Sequence, residues 1–155
     1  MRDNANIQKF TSNGTFITKW GSEGSEEGQF IQPLDVAVNS KDLVYVPDYG
    51  NNRIQIFTNN GTFITKWGSE GSADGQLNQL GVIAIDSDGV LYVTDSGNQR
   101  VQVFDKNGTF ITKWGSEGEG DGQFSKPESI DVDRFGHVYV ADTSNNNVQL
   151  FIPNN

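Results

Sequence analysis

The chain has 155 residues, 34% of them hydrophobic and 18 of them glycine, a mixture that suits many short strands and tight turns better than long helices. Eleven lysines and arginines against 20 aspartates and glutamates leave a net charge of −9, which argues against a phosphate backbone as partner, so nucleic acid is not expected. Cysteine is absent, which excludes a disulfide framework and any thiolate metal site, and no stretch approaches the roughly 18 apolar residues of a membrane span. No secretory signal is visible in the first residues, so a soluble chain is expected and its compartment is not legible.

The twelve-residue string NGTFITKWGSEG occurs three times unchanged, at Asn13–Gly24, Asn60–Gly71 and Asn107–Gly118, with starts 47 residues apart. A fixed period of that length marks a solenoid, a propeller or an array. Aligned on it, residues 10–56, 57–103 and 104–150 are complete repeats, flanked by partial copies at 1–9 and 151–155, all within one domain spanning 1–155.

Within each repeat four strands are predicted. Strand a is short and apolar (Leu34–Val38, Val82–Ile85, Ser129–Val132) and follows a loop that ends in Pro33 or Pro127, a position a strand tolerates. Strand b (Leu43–Val46, Val90–Val93, His137–Val140) is reached through turn clusters such as Asp86-Ser87-Asp88-Gly89. Strand c (Arg53–Phe57, Arg100–Phe104, Asn147–Phe151) alternates Ile, Val or Leu with Gln, as a half-buried strand does. Strand d (Thr15–Trp20, Thr62–Trp67, Thr109–Trp114) follows Asn-Gly, the strongest local hairpin signal because both residues tolerate positive φ. Four antiparallel strands per repeat make a propeller blade.

The stretch Val93-Thr94-Asp95-Ser96-Gly97-Asn98-Gln99-Arg100-Val101-Gln102-Val103-Phe104 and its counterpart over Val46–Phe57 resemble the VxDxxNxRIQxF core of the NHL repeat. The third repeat departs from it at Asn147, where the motif wants Arg. The resemblance implies an all-β, typically six-bladed propeller, and a non-enzymatic scaffold whose rim loops bind a protein, peptide or glycan. In chain order the strands read c,d, then a,b,c,d twice, then a,b,c, which is three blades and one spare strand. Three such blades cannot close on themselves, since their end faces expose apolar side chains. A homodimer joined head to tail gives six blades, with Thr15–Trp20 of one chain completing the last blade of the other and no open sheet edge remaining. The spare is a c strand. Lys9 stands where siblings have Ile56, Val103 and Leu150, so the back copy is expected to hold the slot and roughly the first nine residues to fray or lie on the surface.

Candidate chemistry gathers at the turn between strands b and c. Asp48, Tyr49, Asn51 and Arg53, with Asp95, Asn98 and Arg100 and with Asp142 and Asn145, read either as a polar binding rim or as residues that fasten the turn and join blades. Recurrence in every copy favours fastening. Glu23, Glu26, Glu27, Glu70, Asp74, Glu117, Glu119 and Asp121 crowd the loops after strand d, where a solvated surface is favoured over a Ca²⁺ site. Asp35 and Asp131 break the symmetry of strand a, as Val82 and Ala84 occupy those positions in a sibling. With His137, the only histidine, they are what a hydrolase or lyase with a metal in its channel would have to use, the alternative to the scaffold reading. No nucleophile elbow or phosphate loop is present, and neither a catalytic residue, a cofactor nor a bound metal is expected. Trp20, Trp67 and Trp114, with Phe16, Phe63 and Phe110, are expected between blades.

Overall fold

A computed structural model describes residues 4–152 as strands joined by turns. In chain order these are β1 Ile7–Phe10, β2 Phe16–Trp20, β3 Ala37–Val38, β4 Val44–Asp48, β5 Arg53–Phe57, β6 Phe63–Trp67, β7 Leu80–Ile85, β8 Leu91–Asp95, β9 Arg100–Phe104, β10 Phe110–Trp114, β11 Pro127–Val132, β12 Val138–Asp142 and β13 Asn147–Phe151. They form antiparallel sheets in the orders β3-β4-β5-β6 and β7-β8-β9-β10, a three-stranded sheet β11-β12-β13, and a two-stranded pair β1-β2. The strands expected as c match residue for residue. Strand a of the first blade is the exception, reduced to two residues. Its neighbour on the inner side would be a strand of a preceding blade, and none stands there.

Asn-Gly makes a different turn from the one the sequence suggests. In all three copies only the glycine has positive φ, 85° at Gly14, 90° at Gly61 and 86° at Gly108, and the glycine N–H donates to the carbonyl of Thr11, Thr58 or Asp105. That is a four-residue turn with a glycine bulge, and the register shifts at Phe10, Phe57 and next to Phe110 record the extra residue. A side chain closes each turn: Thr11 and Thr58 Oγ1 accept from the N–H of Thr15 and Thr62, and Asp105 Oδ1 accepts from that of Thr109.

Packing between blades repeats with the sequence. Trp20 of β2 lies on Phe57 of the next blade at 6.1 Å between ring centres, Trp67 on Phe104 at 6.2 Å, and Trp114 on Phe151 at 5.3 Å. The loop after each strand d folds back to drive Phe30, Leu77 or Phe124, all fully buried, into the seam. Room for this plug comes from the glycine that ends strand d. A Cβ on Gly115 would stand 2.7 Å from the Phe124 ring, and its φ of 107° suits glycine alone.

The seam between the second and third blades is less filled than the seam before it. Leu43, Ile56 and Leu91 become Val90, Val103 and Val138 one period later, and a cavity of about 500 Å³ opens beside Tyr92 and Trp114. Restoring Val90→Leu and Val138→Leu is expected to stabilise the chain by about 1 kcal/mol, near the gain for one or two buried methylenes, measurable by urea denaturation.

The two ends of the array differ from its interior. Ile83 and Ile130 are 4% and 5% exposed against their neighbouring blades, whereas their first-blade counterpart Val36 is 46% exposed. At the other end Val148 is 66% exposed where Ile54 and Val101 are fully buried. Of the two outcomes expected near the N-terminus, fraying is not what the structure shows: Ile7–Phe10 pairs with β2 as an edge strand with Gln8 and Phe10 exposed, Ala5 is buried against Phe30, and Lys9 Nζ donates to the carbonyl of Asn59 at 3.0 Å. Nothing in a single chain competes for the edge of β2, so the nearest c-type strand takes it through a local hairpin. Residues 1–3 and 153–155 lie outside the described residues.

Candidate functional site

The motif residues meet in a buried polar clamp, repeated with small changes in each blade. In the second blade Asp95 ends β8, and a short 3-10 turn, Ser96–Asn98, carries the chain around to β9, where Arg100 and Gln102 point to the same side. Gln99 between them adopts the left-handed backbone, φ 48°, as Asn52 and Asn146 do in their copies. Asp95, fully buried, accepts from Arg100 Nε at 2.6 Å, Gln102 Nε2 at 3.0 Å, Asn98 Nδ2 at 3.0 Å and the Asn78 N–H at 2.7 Å. The rest of the guanidinium donates to carbonyls of the loop after strand d: Nη1 to Ser72 at 2.9 Å, Nη2 to Ala73 at 3.0 Å and to Gln76 at 2.9 Å.

Asp48, Asn51, Arg53 and Gln55 make the same set in the first blade, around Ser25, Glu26, Gln29 and the Ile31 N–H. In the third, Asp142 accepts from Asn145 at 2.6 Å and from the Lys126 N–H at 2.8 Å, but Asn147 supplies no guanidinium. Asn147→Arg is therefore expected to complete the third clamp and raise stability by about 1–2 kcal/mol, read as a higher denaturation midpoint.

This placement corrects the rim reading of these residues. Asp48, Arg53, Asp95, Arg100 and Asp142 are buried, and their polar atoms serve the chain's own loop. Asn51, Asn98 and Asn145 are half-buried and donate to the carbonyls of Gly24, Gly71 and Gly118. Buried ion pairs whose groups are spent on the chain's own loop position backbone. The loop carbonyls that could have joined the acidic side chains around Ca²⁺ are in part the ones Arg53 and Arg100 occupy. Sequence reasoning missed Gln55, Gln102 and Gln149, read as the polar beat of a half-buried strand. Gln55 and Gln102 are fully buried, and each of the three both donates to a loop carbonyl and accepts from a loop glycine. Their identity in all three copies was the signal.

Tyr49 alone among the motif residues faces open space. It lines a cavity of about 350 Å³ with Gln32, Gln79, Ser96, Lys126 and Glu128, where the entrances of the three inner strands converge. Lys126 and Glu128 pair there at 2.6 Å; the lysine is held above its ordinary value by Glu128, and the glutamate below its own by Lys126 and Thr143. The symmetry-breaking residues are engaged separately. Asp35 accepts from the Ile83 N–H across the blade seam, Asp131 from the Val132 N–H, and His137 Nδ1 lies 2.9 Å from Asp133 Oδ2 within one turn. At that turn the backbone N–H groups of His137 and Phe135 and the His137 ring outweigh burial and hold Asp133 below the usual carboxylate range. Burial and the Asp86 carboxylate push the Tyr92 hydroxyl up to about 12, so it remains a neutral donor to Asp86.

Repeated four-stranded sheets, plugged seams and converging inner strands define a β-propeller. A family model described as a six-bladed beta-propeller matches residues 74–151, half of the chain, and the NHL-repeat model matches residues 30–57. The chain belongs to the NHL-repeat β-propeller family. No curated protein sequence matches it. Among solved structures it is similar to a protein of unknown function from Bacteroides thetaiotaomicron (15% identity, TM-score 0.75, covering 95% of this chain and 42% of that one). It is also similar to virginiamycin B lyase from Staphylococcus aureus (15%, 0.65, 96% and 48%) and to a chain of a nidogen/laminin complex (20%, 0.56, 76% and 47%). The chain thus spans about half the length of the solved structures it matches, and at these identities the likeness is one of fold.

Proposed function

We propose that two copies of this chain close head to tail into a six-bladed ring that serves as a non-enzymatic scaffold, binding a protein, peptide or glycan through its rim loops. The observation that carries the ring is the inequality of equivalent positions: side chains that interior blades bury are exposed at both ends. Val36 stands open at one end, Val148 and Leu150 at the other.

The scaffold half of the proposal is supported by how the polar residues are used. The recurrent charged set is consumed in holding loops; of the three residues that break the repeat, Asp35 bonds to the backbone across a blade seam, and Asp131 and His137 bond locally. Binding surface is left on the loops after strand d and on the funnel that holds Tyr49. Fold alone does not assign activity, and among the structural neighbours a lyase stands beside a member of a nidogen/laminin complex.

Metal analysis of the purified protein, with thermal shifts on adding Ca²⁺ and EDTA, separates this reading from a channel enzyme. The scaffold predicts no stoichiometric metal and a midpoint unchanged within about 1 °C. Stoichiometric metal whose removal lowers the midpoint by roughly 2–4 °C or more, the effect of about 1 kcal/mol in a domain of this size, would overturn it.

A further inference from the structure

Three contacts recur inside the array; two of them are left in halves at both of its ends, and the third is closed at the front only by β1 and left open at the back. Across each strand pair c–d a phenylalanine meets a phenylalanine: Phe57 with Phe63 at 5.9 Å and Phe104 with Phe110 at 6.2 Å. Within each blade a strand b tyrosine meets the strand d tryptophan: Tyr45 with Trp67 and Tyr92 with Trp114, both at 6.3 Å. Strand d also carries a lysine that pairs with the loop preceding its blade: Lys66 with Glu27 at 3.8 Å and Lys113 with Asp74 at 2.5 Å.

One period further on, Phe151, Tyr139 and Asp121 hold the first half of each contact. Among the described residues Tyr139 has no tryptophan and Asp121 no cation. One period before those pairs, Trp20 and Lys19 hold the second half of theirs, while Phe16 already meets Phe10 of β1 at 5.9 Å. Phe16 is 51% exposed with only Phe10 beside it, and Lys19 pairs with no carboxylate among the described residues.

The two c-type strands are unequally anchored. β13 belongs to its blade: Phe151 lies on Trp114 at 5.3 Å and on Phe124 at 5.9 Å, and Gln149 is tied to Gly122 and Gln123 of the preceding loop. Among the described residues no such loop precedes β1. Gln8, in register with Gln55 and Gln149, is exposed, and Phe10 is 49% exposed where Phe57 is buried.

We infer that β1 is a removable cap on β2, and that the docking surface formed by β13, Tyr139 and Asp121 takes β2 of a second copy of this chain, which leaves β1 to do so. The inference rests on the ring reading and deepens it, because it states that β1 must leave β2 for the exchange and which side chains then meet. Lys19 then meets Asp121, Trp20 meets Tyr139 and Phe16 meets Phe151, each in the geometry already present twice within the chain. β1 covers the β2 edge only until the exchange occurs, so the isolated chain carries its own protection against unspecific edge pairing.

Disulfide trapping tests this in a chain that has no cysteine of its own. Facing residues of antiparallel strands stand about 4.5–5.5 Å apart at Cα, within disulfide range. Ile56 faces Thr65, so Leu150 should face Thr18 of the second copy, whereas Lys9 faces Thr18 in the free chain. The double variant Thr18→Cys/Leu150→Cys is expected to oxidise mainly to a covalent dimer. Lys9→Cys/Thr18→Cys, once oxidised, should be locked within one chain and dimerise at least tenfold more weakly than when reduced. A locked chain that dimerises undiminished, together with no trapping through Leu150, would overturn the exchange while leaving the ring intact. If the unmodified chain also stays monomeric, the ring reading falls with it.

A charge swap gives a second readout that exposed positions tolerate without loss of folding. Lys19→Glu should weaken the dimer roughly tenfold over its two seams, and adding Asp121→Lys to the same chain should restore it. Weakening that the second substitution does not repair would count against the pairing.

Discussion

Replacing Asp95 by alanine is expected to lower the stability of the chain by about 3–5 kcal/mol, a large share of the roughly 5–15 kcal/mol that holds a domain folded. The carboxylate is fully buried and accepts four hydrogen bonds, two of them from side chains that are themselves buried. Removing it strands the Arg100 guanidinium at the end of β9 with carbonyl acceptors and no counter-charge, and leaves the Asn78 N–H without a partner. The loop after strand d then loses the group around which it is wound, and with it the anchor of the Leu77 plug. Asp74→Ala, on the same loop but exposed and paired only with Lys113, should change stability by less than about 0.5 kcal/mol. Urea titrations at one fixed protein concentration compare the two; equal effects would mean that the clamp does not hold the blade.

The second large effect is on assembly and leaves the fold alone. Val148→Glu alters a residue that is 66% exposed in the free chain, so the isolated chain should fold with little penalty. In the ring the same position sits where Ile54 and Val101 are fully buried. Each seam would lose about 1.5 kcal/mol of apolar burial and gain the cost of desolvating a carboxylate, and the ring has two such seams. Dimer affinity should therefore fall at least 100-fold, measured by sedimentation over a concentration series. Affinity within threefold of the starting chain would place Val148 outside any interface.

The period of 47 residues carried the architecture because every level of structure repeats with it. Strand c was legible residue for residue, since its alternation, its Arg start and its Phe end all agree. Strand a of the first blade is shorter than its composition suggests: only Ala37 and Val38 of Leu34–Val38 pair with β4, and no strand a of a preceding blade covers it among the described residues. β1 was misjudged the other way. Lys9 argued against burial in a complete blade, yet in a single chain β1 faces no competitor, and the lysine reaches the Asn59 carbonyl instead of being buried.

The clamp was legible only in part. Asp95, Asn98 and Arg100 announce themselves as a set, but nothing in a linear reading says that their partners are carbonyls 24 to 28 residues earlier in the chain. Main-chain acceptors have no sequence signature. For the same reason Gln102 passed as surface alternation while its amide joins the buried network. The feature that points most directly to assembly, a set of half-contacts at each end, becomes visible only when equivalent positions are compared for burial as well as for identity.

The mass of the protein in dilute solution, by light scattering coupled to size-exclusion chromatography, tests the central claim most directly. A closed ring predicts a single species at twice the 17.0 kDa of one chain. A stable species at 17.0 kDa that persists as concentration rises would contradict it.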